Sequence, residues 1–221
     1  MLIVVRGEDR TLYTGYFEQL YRLRYEALIA GRGWALPSAK GCEVDQYDID
    51  ESVYIFDIGD DDSIRGTVRL TPTEVGSLTA DFFPHLIESG DGSRAPDIYE
   101  ATRFIVSPSV KTRKTNRVAK ARVLGAMTEW CLDNQINFIQ AVIDSATLST
   151  YVELNPKVRP LGLAHPYGGG RRTPGGSECM AIRLPMTSEA LDSVRAYGGL
   201  LESVPLTGTS GPETVVPQAT H

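Results

Sequence analysis

The spacing of apolar residues switches repeatedly along this chain between the strand period and the helix period, and that alternation limits the fold more than any single residue does. Residues 2–5, 52–58, 64–70, 98–106, 136–143 and 179–184 are short β-rich runs. Between them, residues 11–30 carry Tyr13, Phe17, Leu20 and Leu28 at helical spacing, and Gly31-Arg32-Gly33 stops that helix. A second helix runs from a cap at Thr115 or Asn116 to about residue 134, with Val118, Val123, Met127 and Cys131 among its apolar positions. Two shorter helices are expected over 146–154 and 188–197. Strands interleaved with helices predict an α/β (α+β) domain, and 221 residues fit one such domain. We expect it to span residues 1–204, with residues 205–221, rich in Pro, Thr, Gly and Ser, as a disordered tail.

A net charge of −6 argues against whole-surface binding to nucleic acid or to an anionic membrane. Three scattered cysteines, Cys42, Cys131 and Cys179, make neither a metal-ligand set nor a paired disulfide framework, so a reducing cytoplasm is the expected location. The apolar N-terminal run is too short for a signal peptide, and no segment approaches the roughly 18 apolar residues of a membrane span. His85 and His165 lack companions at zinc spacing, so no metal is expected. The glycine-rich stretch 168–176 fits no phosphate-binding fingerprint and reads as a connecting loop.

Several charged residues stand where apolar ones belong. Arg24 continues the stripe Phe17, Leu20, Leu28, so either its stem packs while its head reaches the domain edge, or carboxylates or a ligand complete it. Arg65, Thr67 and Arg69 share one strand face, either a solvated side of a sheet or the lining of a site. Glu100 and Arg103 lie in an apolar strand, where ideal alternation sets them on opposite faces. They are strand-edge charges, or a β-bulge between them brings both to one side. The loop 41–50 is crowded with carboxylates, as a solvated loop would be, and it lacks the glycine and terminal glutamate of a calcium loop.

Leu23-Arg24-Tyr25-Glu26-Ala27-Leu28, Gly33-Trp34 and Glu43-Val44-Asp45-Gln46-Tyr47-Asp48 together resemble the opening of the acyl-homoserine-lactone synthases. The likeness continues in order through Arg69-Leu70-Thr71-Pro72-Thr73, Phe82-Phe83-Pro84-His85-Leu86 and Tyr99-Glu100-Ala101-Thr102-Arg103-Phe104. Leu28 departs from it, standing where the family usually has Phe. The resemblance implies a fold like that of the Gcn5-related N-acetyltransferases, a twisted mixed sheet flanked by helices whose central strands splay apart. It also implies a reaction in which the α-amine of S-adenosylmethionine takes an acyl group from a thioester of acyl carrier protein or coenzyme A. Lactone closure then releases methylthioadenosine. Both ligands are substrates, and no cofactor is implied.

On that footing Arg24, Leu28, Trp34, Asp45, Asp48 and Arg103 are expected to bind S-adenosylmethionine, the aspartates suiting its cations and Trp34 its sulfonium or adenine. Arg24 can also tie its helix to the acidic loop. Glu100, Arg103 and Arg69 are the catalytic candidates, with Glu100 as general base. Its pKa should be raised by shielding and pulled down by Arg103. Thr102, Phe104, Met127, Ala141 and Ile143 are expected along the acyl chain, and Ala141, where relatives taking 3-oxo chains carry Thr, favours a chain without that oxygen. Met127 is as well explained as core. Lys111, Arg113, Lys114, Arg117 and Lys120, followed by Arg122, are either a solvated helix start or a docking surface for carrier protein or coenzyme A phosphates. The rivals are an N-acetyltransferase of the same fold using acetyl-CoA and a non-enzymatic acyl-thioester sensor.

Overall fold

Strand residues buried on both sides belong inside a sheet, and a computed structural model of the chain puts Val53–Ile58, buried throughout, among the central strands. It describes residues 1–88, 93–167, 177–200 and 206–207. In chain order the strands are β1 (Leu2–Arg6), β2 (Ser38–Ala39), β3 (Cys42–Glu43), β4 (Val53–Ile58), β5 (Ile64–Pro72), β6 (Ile98–Val106), β7 (Phe138–Asp144), β8 (Arg159–Pro160), β9 (His165–Tyr167), β10 (Ser177–Pro185) and β11 (Leu206–Thr207). The α-helices are α1 (Thr14–Arg24), α2 (Leu78–Phe82), α3 (Arg113–Asp133), α4 (Leu148–Leu154) and α5 (Ser188–Gly198).

Among the described residues one mixed sheet has the order β11-β1-β4-β5-β6-β7-β10-β8, with β9 also on β10, and β2-β3 form a separate ribbon. One face packs Val53, Ile55, Val68, Leu70, Ile139, Ala141 and Ile182 against Val123, Met127 and Trp130 of α3 and Val194 of α5. The other packs Ile3, Val5, Tyr54 and Phe56 against Phe17, Leu20 and Leu23 of α1, with the Phe17 ring edge-on to Tyr54 at 4.8 Å. No helix among the described residues is long and apolar enough to cross a membrane.

Three boundaries differ from the sequence expectation. The expected helix over 11–30 is a 3₁₀ segment (Gly7–Tyr13), then α1, then a π-helical turn (Tyr25–Ala30) that begins directly after Arg24, and such wide turns gather at functional sites. Helix α3 is capped by Thr112 rather than Thr115 or Asn116. Thr115 instead completes a capping box, returning its own hydroxyl to the Thr112 backbone. Leu206–Thr207, within the stretch expected to be a tail, pairs parallel with Leu2–Ile3 along the outer edge of β1. Residues 208–221 and the glycine-rich loop 168–176 lie outside the described residues.

Gly7 fixes the acidic loop to this frame. Its N–H donates to the Ser52 carbonyl at 2.6 Å, and a Cβ there would meet the Ile49 carbonyl oxygen at 2.0 Å. Gly7→Ala therefore forces the loop away from β1. We predict a loss of about 1–3 kcal/mol in a urea unfolding titration, the range of overpacked sites.

Candidate active site

A β-bulge and a splay create the site. Between Thr67 and Arg69 of β5 there is one residue, but between their partners Ile105 and Thr102 of β6 there are two. Arg103, one of those two, takes the left-handed conformation at φ 54°, which favours glycine. The extra residue puts Arg103 on the same side as Glu100 and Thr102, the side on which Arg69 also lies. On its other edge, β6 pairs with β7 only over Ile98–Glu100 and Phe138–Gln140. Beyond Glu100 and Gln140, β6 stays with β5 and β7 stays with β10, so the two strands part in a V.

Next to the V lies a closed network of charges. Arg24 Nε donates to Glu43 at 2.5 Å, and its Nη1 and Nη2 donate to the two oxygens of Asp48 at 2.8 and 3.0 Å. Arg69 forks onto Asp45 at 2.5 and 3.0 Å and approaches Asp48 at 2.9 Å. Arg103 bridges Glu43 and Asp45, both at 2.7 Å. Tyr54 donates its hydroxyl to Asp48 at 2.9 Å. Arg24, Arg69 and Glu43 are fully buried, and the surface of the network is its Arg103–Asp45 edge, 8% and 9% exposed.

Burial alone would raise the Asp45 and Asp48 carboxyls. The guanidiniums of Arg69 and Arg103 at Asp45, and of Arg24 and Arg69 at Asp48, outweigh it and hold both below the usual carboxylate range. The oxygens of both aspartates are engaged by arginines and backbone, which fixes them in place. Asp48 Oδ2 also takes the Asp45 N–H, and Asp45 Oδ1 takes that of Tyr47.

Glu100 sits at the apex of the V on the face that carries Thr102 and Arg69. Its Oε1 accepts from the backbone N–H of Thr79 at 2.9 Å and from the Thr79 hydroxyl, while its Oε2 has no hydrogen-bond partner among the described residues. Burial pushes its carboxyl up, against the lowering effect of Thr79 and Ser77. The opposing pull expected from Arg103 comes from these hydroxyls instead, because Arg103 is turned to Glu43 and Asp45.

A sequence profile of the autoinducer synthases matches residues 9–152. The chain belongs to the autoinducer synthase family. An isovaleryl-homoserine lactone synthase of Bradyrhizobium diazoefficiens is 31% identical over 164 residues, 74% of this chain and 73% of that protein. A CoA-dependent acyl-homoserine lactone synthase solved with SAM and isopentyl-CoA superposes with a TM-score of 0.80 at 27% identity, over 95% of this chain and 94% of that one. A Lactobacillus plantarum chain described as an N-acetyltransferase, 16% identical, shares the fold with a TM-score of 0.53 over 84% of this chain and 99% of that one.

The remaining sequence-chosen residues of this autoinducer synthase fall into three groups. Leu28 is buried against α1, and Trp34 packs on that same cluster with the Arg32 guanidinium 5.2 Å from its ring centre, so one ring face already holds a cation. Phe104, Met127, Ala141 and Ile143 join the α3-side core, and Met127 borders a cavity of about 20 Å³ with Leu124, Tyr151 and Met186. Thr102 does not join them: it accepts from Arg69 Nε at 3.1 Å on the opposite face. In the basic cluster, Lys111, Arg113 and Lys114 are exposed at the start of α3 and Lys120 is half-buried. Arg117 is engaged with the Tyr197 carbonyl and ring, and Arg122 donates to Asp57 at 2.9 Å.

Glu43, the carboxylate shared by Arg24 and Arg103, was missed as a site residue, as were Thr79 and Tyr54. The available signal was charge balance, since three buried arginines need a third anion beside Asp45 and Asp48.

Because Asp45 and Asp48 are held below their unfolded values, their contribution to stability is complete above about pH 4 and is lost as pH falls through the lowered range. Glu100, held above its unfolded value, acts in the opposite sense. In urea titrations between pH 6 and 2 we expect the wild-type midpoint to hold down to about pH 4 and to drop steeply below it. Asp48→Asn should start lower at pH 6, by about 3–5 kcal/mol, and fall less. Parallel curves would remove Asp48 from the acid-sensitive network.

Proposed function

We propose that this autoinducer synthase is an acyl-homoserine-lactone synthase that transfers a short acyl group from a coenzyme A thioester to the α-amine of S-adenosylmethionine. The observation that carries this reading is the joining of the β6/β7 splay to Glu100 and the charge network on one face of the sheet. A thioester laid in the V has its carbonyl beside the unpaired strand backbones, where N–H groups can stabilise an oxyanion. S-adenosylmethionine, on the side of α1, meets the Arg103–Asp45 edge with its carboxylate and amine. Arg103 is the one guanidinium of the network with surface to offer that carboxylate.

Glu100 is the general base. Thr79 holds Oε1 and leaves Oε2 toward the apex, and a raised pKa suits removal of a proton from an ammonium. After acylation, the substrate carboxylate displaces methylthioadenosine at the γ-carbon and closes the lactone. Trp34 walls the adenosyl end with the face that Arg32 leaves free.

Coenzyme A as donor is supported by the likeness to the CoA-dependent synthase, and Lys111, Arg113, Lys114 and Lys120, with no ion-pair partner among the described residues, offer cations for its phosphates. A short chain is supported by the tight interior beyond the V. Trp130 meets Tyr99 edge-on at 5.4 Å in the core on the α3 side, where Met127 is an adaptable side chain. A reducing cytoplasm suits the free thiols of Cys42, Cys131 and Cys179. The proposed chemistry uses no metal and no cofactor.

The test is release of methylthioadenosine from S-adenosylmethionine with a panel of acyl-CoA and acyl carrier protein thioesters, beside calorimetry of S-adenosylmethionine binding. The wild type should bind and turn over with a short acyl-CoA. Glu100→Gln should lower kcat by roughly 10²–10⁴-fold while S-adenosylmethionine affinity stays within a few-fold. Unchanged turnover removes Glu100 from the base role. Acetyl transfer to other amines without any binding of S-adenosylmethionine replaces this reading with the N-acetyltransferase one.

A further inference from the structure

A buried polar row crosses the sheet at the apex of the V. Thr71 of β5, Glu100 of β6, Gln140 of β7 and Arg183 of β10 are direct register partners, one strand to the next. Gln140 is fully buried. Its Oε1 accepts from Arg183 Nη2 at 3.0 Å. A guanidinium only donates, so this bond fixes the amide with its oxygen toward β10 and its Nε2 turned away from Arg183. That Nε2 has no hydrogen-bond partner among the described residues, and neither does Glu100 Oε2 on the adjoining strand. Side chains on neighbouring strands stand roughly 4.7–4.9 Å apart at the backbone. An acceptor and a donor, each nine-tenths or more buried and each unused, thus flank the point where β6 and β7 separate. Such groups are costly to leave unsatisfied, and a ligand with one donor and one acceptor satisfies both.

We propose that Gln140 is a catalytic residue of the acylation step, its Nε2 donating to the oxyanion while Glu100 takes the amine proton, with Arg183 as the residue that positions the amide. This rests on the reading of the protein as an acyl-homoserine-lactone synthase. The tetrahedral centre carries both required groups on one carbon. The amine, neutral once its ammonium proton has passed to solvent, bonds through nitrogen to the thioester carbon as the carbonyl π pair moves onto oxygen, and Gln140 Nε2 holds that oxygen. Glu100 Oε2 accepts the surplus proton of the nitrogen. The oxygen pair then re-forms the carbonyl, the carbon–sulfur bond breaks, and the thiolate leaves with the proton returned by Glu100. The backbone N–H groups of the V supply a further donor to the same oxygen.

Two variants of Gln140 separate this role from a structural one. Gln140→Glu keeps the shape and the acceptor for Arg183 but removes the donor. Gln140→Met removes both at similar length. Steady-state methylthioadenosine release with the best acyl-CoA, calorimetry of S-adenosylmethionine and thermal melting are measured for each. We expect kcat to fall about 10²–10³-fold, the size of a lost oxyanion donor, with KM and affinity for S-adenosylmethionine within threefold in Gln140→Glu. Should Gln140→Met fail to fold, Gln140→Glu decides. Arg183→Met should lower kcat, and Arg183→Lys, which retains a donor to Oε1, should recover most of it. Folded Gln140→Glu with kcat within threefold of wild type overturns the inference, as does a loss confined to S-adenosylmethionine affinity. Those results leave the synthase reading standing, whereas a wild type that forms no methylthioadenosine with any thioester overturns both.

Discussion

Three guanidiniums buried among three carboxylates are the constraint on which the rest of this site depends. Arg24, Arg69 and Arg103 come from α1, β5 and β6, and Glu43, Asp45 and Asp48 from the β2–β3 ribbon and the loop after it. An isolated charge in such a place would cost several kcal/mol, so each member is tenable only while its partners stay put. The network therefore acts as a latch. It holds the acidic loop against the sheet, and Gly7 and Ser52 secure that loop from the other end. The loop thereby gains the rigidity of a strand, as the proposed positioning of substrate requires.

The same economy explains the strained backbone at Arg103. A left-handed arginine costs roughly 1–3 kcal/mol, and the two carboxylates that its guanidinium reaches offset that cost. The bulge has a second effect, since it turns the far half of β6 away from the alternation of its first half. With only three parallel pairs joining β6 to β7, the sheet opens where a substrate can use the released backbone groups. Strain, splay and charge network are thus one feature seen in three ways.

Much of this was legible in the chain. The alternation of periods predicted strands interleaved with helices, the family resemblance implied the mixed sheet, and Arg24 stood out because it broke an apolar stripe. The parity conflict between Glu100 and Arg103 admitted either strand-edge charges or a bulge, and the register shift shows the bulge. Other parts depended on long-range contacts that no local pattern carries. Acidic loops are ordinarily solvated, so nothing near Glu43 announced that it would be buried between two arginines 19 and 60 positions away. Thr102 was assigned to the acyl side because the position of the bulge, just after it, cannot be read from spacing. Arg117 belonged to an apparent basic cluster, yet α5 brings Tyr197 close enough to occupy it. The short strands β8 and β9 and helix α2 are too brief to leave a periodic signal.

The central claim is that the latched network offers its Arg103–Asp45 edge, next to Glu100, as the seat of the amino-acid end of S-adenosylmethionine. A crystal structure of the protein soaked with S-adenosylmethionine tests this most directly. Electron density for the ligand carboxylate against Arg103, with the contacts of Arg24 to Glu43 and Asp48 unchanged, is the expected result. Ligand density elsewhere, or a network that must break apart to admit it, would contradict the account.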